Sequence, residues 1–223
     1  MRSVAKYVVS AVVVGISALA CNNTPAPEQA IVASNVQPGA GGGGTCNSPE
    51  QFIYLPQTAP VPGPDTNDDK NITPNLTGDV AITCKVQPNG NGYDVVLQAQ
   101  ITGGTSPGTM TVSGTFTPRV RDPNGNATAT GDATVIPNIK VDMLDATKHL
   151  EQTDCTAQYV LADNGGPGAS LPNNADVFAD DHGGRIWASV FCPKPTNLDE
   201  SQKPGNAGCE MSATFRFENC TNK

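Results

Sequence analysis

Residues 80–101, VAITCKVQPNGNGYDVVLQAQI, determine the fold class. Apolar side chains recur at every second position before and after the central segment 88–92, PNGNG. A period of two places alternate side chains on one face of a β strand, and an Asn-Gly pair between two such runs is typical of a tight turn. The stretch therefore predicts an antiparallel hairpin with one buried face and one face in water.

The alternation continues toward the C terminus, in segments 109–116, 139–143, 155–161, 185–192 and 210–218. Gly, Pro, Thr and Asn are abundant between these segments, as expected for turns that join short strands. We therefore predict an all-β fold, an antiparallel β-sandwich of about seven or eight strands with long loops. One stretch, 144–152 (LDATKHLEQ), instead predicts a short helix whose start Asp145 would cap.

Cysteine usage predicts a cross-linked domain. The six cysteines of this region are Cys46, Cys84, Cys155, Cys192, Cys209 and Cys220. An even number in an exported chain indicates three disulfides formed in an oxidising compartment. Cys192 ends one predicted strand and Cys209 begins the next, which favours that pair. A similar argument favours Cys155–Cys220 and leaves Cys46–Cys84.

The N terminus has the features of an export signal. Arg2 and Lys6 are followed by an apolar run of 14 residues, Tyr7–Ala20 (YVVSAVVVGISALA). A basic start, a short apolar stretch and small residues before a break are typical of a secretory signal. The run is shorter than the about 20 residues that a helix needs to span a membrane.

The four residues Ala18-Leu19-Ala20-Cys21 resemble the lipobox of bacterial lipoproteins. In that family the chain is cut before the cysteine, whose thiol is lipidated and whose new amine is acylated. The resemblance covers residues 1–21. It implies a signal peptide over residues 1–20 and a membrane anchor on Cys21 of the mature protein. Asn22 is not the residue best known in the family for inner-membrane retention, which favours the outer membrane.

Domain boundaries follow from composition. Residues 22–45, NNTPAPEQAIVASNVQPGAGGGGT, are rich in Gly, Pro and small side chains. Such a segment buries little apolar surface, so we predict that residues 21–45 are a lipidated cysteine followed by a flexible tether. Residues 46–223 then form the β-sandwich ectodomain.

The charge balance excludes one class of partner. Loss of residues 1–20 removes Arg2 and Lys6, which takes the formal net charge from −8 to −10. Nucleic-acid binding requires Lys and Arg to neutralise phosphates, so no nucleic-acid partner is expected. No phosphate-binding Gly-Lys-Ser loop or dinucleotide fingerprint occurs, and we predict no cofactor.

Two sets of residues are candidates for a site. Trp187 and Arg185 share one face of a predicted strand, where they would form an aromatic platform for a sugar or peptide, or where the tryptophan is simply buried. Asp180, Asp181 and His182 precede a Gly-Gly pair and could bind a metal or act as acid and base, or form a solvated turn.

An acidic segment, residues 65–69 (DTNDD), imitates the start of a calcium loop. It has Lys70 where such a loop requires glycine, so an acidic solvated loop is the preferred interpretation and loose calcium binding the alternative.

These observations favour a membrane-anchored envelope lipoprotein that binds or presents an unidentified protein or glycan ligand without catalysis. A tethered carbohydrate- or peptide-binding domain that uses Trp187 is the first alternative. A hydrolase that uses His182 with Asp181 is the second.

Overall fold

The computed structural model describes residues 26–39, 46, 50–55, 73–75, 78–90, 92–103, 107–118, 135–146, 148–159, 177–180, 183–198, 205–206 and 208–222. Within these ranges the chain forms β strands, and no helix long and apolar enough to cross a membrane occurs among them. The strands are β1 (Gln29–Pro38), β2 (Glu50–Leu55), β3 (Thr73–Pro74), β4 (Val80–Asn89), β5 (Gly92–Ile101), β6 (Gly108–Phe116), β7 (Ile136–Asp145), β8 (His149–Tyr159), β9 (Val177–Asp180), β10 (Gly183–Cys192), β11 (Thr196–Asn197), β12 (Gly205–Asn206) and β13 (Cys209–Cys220).

The longer strands form one antiparallel sheet in the order β2-β1-β13-β10-β8-β7-β6-β5-β4. The short strands pair beside this path: β3 with β1, β9 with β10, β11 with β8 and β12 with β11. The hairpin predicted from residues 80–101 is present, with Val80 opposite Ile101 and Asn89 opposite Gly92. Gly90 has a φ of 58° in its turn, which a residue without a Cβ adopts at little cost.

The sheet curls into a half-barrel whose two sides meet beside β4. At this seam the Val86 amide donates to the Thr221 carbonyl, and the Thr221 amide donates to the Cys84 carbonyl, each at 2.9 Å. Register shifts in β7 accompany the curl, and there Asn138 has a φ of 60°. Bulges of this kind bend a strand and increase its twist. The prediction of an all-β antiparallel fold with three disulfides is confirmed, and the strands belong to one curled sheet.

The inner face of the sheet forms the core. It consists of alternate apolar side chains from the long strands, including Val32, Leu97, Val112, Val141 and Phe215, all with no exposed surface. Ser34 is a polar residue buried on this face. The Ser34 hydroxyl accepts from the Ile53 amide at 2.8 Å, where the register between β1 and β2 shifts. That bond satisfies a backbone donor which the irregular pairing would otherwise leave unpaired.

The predicted helix over residues 144–152 is wrong. Asp145 ends β7 and His149 begins β8, and the two strands are joined by a tight turn. The Asp145 carboxylate accepts from the Lys148 amide at 2.7 Å, and the Asp145 amide donates to the Lys148 carbonyl at 2.9 Å. Asp145 therefore acts as a turn residue and not as a helix cap, because its side chain satisfies a turn amide.

The tether prediction is wrong over part of its length, since Gln29–Pro38 is the strand β1. It lies inside the sheet between β2 and β13. Ala30, Val32 and Val36 are fully buried on its core side, and this period-two spacing was present in the sequence. The flanking prolines and glycines masked it, because composition averaged over 24 residues hides a ten-residue strand.

The six cysteines form three disulfides, as predicted, but every predicted pairing is wrong. The bonds are Cys46–Cys209, Cys84–Cys220 and Cys155–Cys192. The prediction assumed that the last two long strands are joined at Cys192 and Cys209, and that the strand beginning at Cys155 is a neighbour of the last strand. Curling of the sheet instead brings Cys84 of β4 beside Cys220 at the end of β13, and the pairing of β8 with β10 brings Cys155 beside Cys192.

Candidate functional site

Trp187 and Arg185 share the outer face of β10, as predicted, but neither is exposed. Trp187 has 0% and Arg185 3% of its surface accessible. A platform that stacks on a sugar or peptide must present its ring to the ligand, so the platform interpretation of Trp187 is wrong. The alternative interpretation, a buried tryptophan, is confirmed. Ile186, Ala188 and Val190 occupy the core face of the same strand.

Arg216 and Glu218 complete a buried polar group with these two residues. Arg216 lies opposite Trp187 across the β10–β13 pair, with its guanidinium carbon 5.2 Å from the centre of the indole ring. Its Nε donates to Glu218 Oε1 at 2.6 Å, and its Nη2 contacts the same oxygen. Arg185 Nη1 lies 3.9 Å from that oxygen. We call Arg185, Trp187, Arg216 and Glu218 the Arg–Trp cluster.

Two members of the cluster were not among the residues predicted from the sequence. Arg216 and Glu218 occupy the polar face of the last strand, which was expected to lie in water. Arg216 is instead only 1% exposed, and the Glu218 side chain 19%. A usable signal existed, because opposite charges two residues apart on a strand project from the same face.

The chemistry of the Arg–Trp cluster is that of a buried ion pair. A guanidinium over an indole face and a carboxylate shared by two guanidinium groups offset part of the cost of removing these charges from water. Trp187 Nε1 is buried and has no hydrogen-bond partner. The two arginines and the tryptophan are buried in the packed sheet and the Glu218 side chain is 19% exposed, so removal of the carboxylate alone would leave buried positive charge uncompensated.

The Asp180-Asp181-His182 candidate is only partly described. The Asp180 backbone ends β9 and pairs with Gly183 of β10, while Asp181 and His182 lie outside the described residues. A metal or acid–base role for the three residues stays a prediction. The described residues also do not include Cys21, Asn22 or the acidic segment 65–69.

A second polar group lies on the outer face of the β7–β8 hairpin. His149 Nε2 is 3.1 Å from Asp142 Oδ2, and Lys140 Nζ pairs with Glu151. The hydrogen bond from Lys140 to Glu151 raises the pKa of the lysine. Both pairs join neighbouring strands, where such contacts add at most about 1 kcal/mol. Across the described ranges, no group of three or more His, Cys, Asp and Glu side chains is placed to hold a metal ion.

One open depression lies where β5, β6 and β7 come together. Its volume is about 280 Å³, and Ile101, Thr102, Gly108, Leu144 and Asp145 contribute to its lining. Pockets that enclose a small molecule are usually about 300–1,000 Å³ and largely closed. A ligand at this point would insert no more than a single side chain or sugar ring.

The start of β1 forms a polar junction with β4. Glu28 Oε1 accepts from the Cys84 amide at 3.3 Å, and the Glu28 carbonyl accepts from the Asn75 amide at 2.6 Å. Burial raises the pKa of Glu28 above its ordinary value of 4.5, and the bond from Cys84 lowers it by less. The folded protein therefore binds a proton at Glu28 more tightly than the unfolded chain does.

Replacing Glu28 by glutamine is expected to reduce the pH dependence of stability above pH 4.5. Because the folded-state pKa is raised, the stabilising contribution is complete below that pH and is lost as the pH rises through the folded-state pKa. Glutamine keeps an oxygen acceptor for Cys84 and does not titrate. Urea unfolding between about pH 4 and pH 7 measures the effect. A constant difference between variant and wild type over this range would contradict it.

Comparisons with protein-family models, with curated proteins and with solved structures find no match for this chain.

Proposed function

We propose that the protein is an exported, membrane-anchored lipoprotein of the bacterial cell envelope whose all-β domain binds or presents a partner without catalysis. The three disulfides carry the first part of this proposal. Disulfides of this kind persist in oxidising compartments and are rare in the cytosol. They also use six of the seven cysteines, which leaves Cys21 of the lipobox for the anchor.

The non-catalytic part of the proposal has its support in the polar groups of the described strands. The Arg–Trp cluster is buried, and the pairs on β7 and β8 join adjacent strands. Both arrangements are explained by contacts between strands of the sheet. The proposed partner is a protein or a glycan, and the net charge of −10 for the mature chain makes a nucleic acid a poor candidate.

The anchor is tested by replacing Cys21 with alanine. We expect the variant to move from the membrane pellet to the soluble fraction, because the segment around residue 21 offers no basic run that could bind anionic lipid. Fractionation with quantitative immunoblotting measures the change, and an Asn23→Ala variant, which keeps the cysteine, is the matched control. Mass spectrometry of the native N-terminal peptide should find two or more acyl chains, which hold a protein durably at a membrane.

Continued membrane association of the Cys21→Ala variant would contradict the proposed anchor. A hydrolytic activity of the purified domain that disappears in His182→Ala or Asp181→Ala would contradict the non-catalytic part. Ester and glycoside substrates cover the two reaction classes that an aspartate and a histidine could serve.

A further inference from the structure

The chain becomes part of the folded domain at Pro27. The Pro27 carbonyl accepts from Asn219 Nδ2 at 2.9 Å, the next residue bonds to Asn75 and Cys84, and β1 begins at Gln29. These contacts hold the chain to β13 and β4 at one end of the sheet. The N-terminal segment thus leaves the domain at a defined point.

Five residues, 22–26, separate Pro27 from Cys21. An extended chain spans at most about 3.3–3.6 Å per residue, so Pro27 lies within about 22 Å of Cys21 in any conformation. A lipidated cysteine sits where the acyl chains meet the headgroups. This end of the sheet is therefore held close to the membrane surface, much closer than a tether of 24 residues would hold it.

The β4–β5 hairpin extends beyond the exit point of the chain. Lys85 pairs with Thr221 in a parallel bridge at the seam, and the strand then continues to the turn at Gly90. Five residues of β strand extend about 15 Å. Because β1 runs in the direction opposite to β4, its N-terminal end at Pro27 lies at the same end of the sheet as this turn.

The tip of the hairpin has a composition suited to a lipid headgroup layer. Between Lys85 and Asp94 the sequence VQPNGNGY contains no charge, although the mature chain as a whole is strongly acidic. Gln87, Pro88 and Asn89 are exposed. Asn89 Nδ2 donates to Asp94 Oδ2 at 2.8 Å, which braces the base of the turn. Uncharged amides are not repelled by anionic lipid, whereas an acidic surface would be.

We infer that the tip of the β4–β5 hairpin, with its exposed residues 87–90, contacts the phospholipid headgroups of the membrane to which the protein is anchored. This inference depends on the proposed lipidation of Cys21. The short linker supplies the proximity, and the one carboxylate at the base of the tip, Asp94, is bonded to Asn89 and Thr115. The opposite end of the sheet, with Thr102 at the end of β5, faces away from the membrane.

The inference is tested with a photoreactive phenylalanine analogue at position Gln87 of the full-length lipidated protein. The protein is reconstituted in vesicles of phosphatidylethanolamine and phosphatidylglycerol, and lipid adducts are counted by mass spectrometry after illumination. The same analogue at Thr102 is the matched control, because this residue is exposed at the other end of the hairpin strands. We expect at least a five-fold excess of lipid adducts at position 87.

A flexible insertion of 12 Gly and Ser residues after Thr24 should reduce the adducts at position 87 several-fold, since the tip then escapes from the surface. Equal labelling at positions 87 and 102 in vesicle-bound protein, or labelling unchanged by the insertion, would overturn the inference. Failure of the lipid-modified protein to float with vesicles would instead overturn the anchor itself. Flotation is measured on the same samples, so the two failures are distinguishable.

Discussion

Replacing Cys84 and Cys220 together by alanine is expected to lower the free energy of unfolding by about 4 kcal/mol. The bond joins β4 to the end of β13 across the seam of the half-barrel. While Cys46–Cys209 is intact, the two disulfides and the chain between them form a ring of about 50 residues. Opening a ring of this size returns about 4 kcal/mol of conformational entropy to the unfolded chain. Urea unfolding followed by circular dichroism measures the loss.

The matched control is the double replacement of Cys155 and Cys192, which are separated by 37 residues on neighbouring strands. Its effect on global stability should be similar, at about 4 kcal/mol. The two variants should differ in hydrogen exchange. Loss of Cys84–Cys220 should accelerate exchange of the Val86 and Thr221 amides, whose bonds cross the seam, while the control should leave their relative protection unchanged. A stability loss below about 1 kcal/mol, or unaltered protection of Val86, would contradict the first prediction.

Replacing Glu218 by glutamine is expected to destabilise the protein by about 3 kcal/mol. Its carboxylate contacts Arg216 directly and lies 3.9 Å from Arg185, and both arginines are buried. Glutamine keeps the shape of the side chain but removes the charge that these guanidinium groups face. Breaking a buried ion pair on one side is costly because the other charge stays in a poorly solvated place. Urea unfolding at neutral pH measures the change, with Trp187 fluorescence as a local probe of the cluster.

Glu210→Gln is the matched control for Glu218→Gln. Glu210 lies on the same face of β13 and bonds to Gln37 at an exposed position, so its replacement should cost less than about 0.5 kcal/mol. A double variant, Arg216→Met with Glu218→Leu, removes the directly bonded pair and should recover part of the loss, because Arg185 still loses the carboxylate that it faces. Equal losses in the free energy of unfolding for Glu210→Gln and Glu218→Gln would contradict the prediction, because the buried position of Glu218 would then make no difference.

Local patterns were sufficient where neighbouring residues decide the structure. The hairpin from Val80 to Ile101 was predictable because alternation and an Asn-Gly turn act over a few residues. Which side chains of β10 share a face was predictable for the same reason. The candidate site was harder to predict from the sequence, since whether a strand face lies in water depends on what packs over it. Trp187 and Arg185 were found on the correct face, but their burial and their partners on β13 were not.

The sequence by itself determined the all-β class, the strand faces, the presence of three disulfides and the resemblance to a lipoprotein signal. Each of these depends on residue type and on a short-range period. Only the tertiary structure decided which cysteines pair, that Gln29–Pro38 belongs to the sheet, and that Arg216 and Glu218 are buried together. The physical reason is the curl of the sheet. It brings segments more than a hundred residues apart into contact, as in the separation of 136 residues between Cys84 and Cys220, and no local pattern encodes that closure.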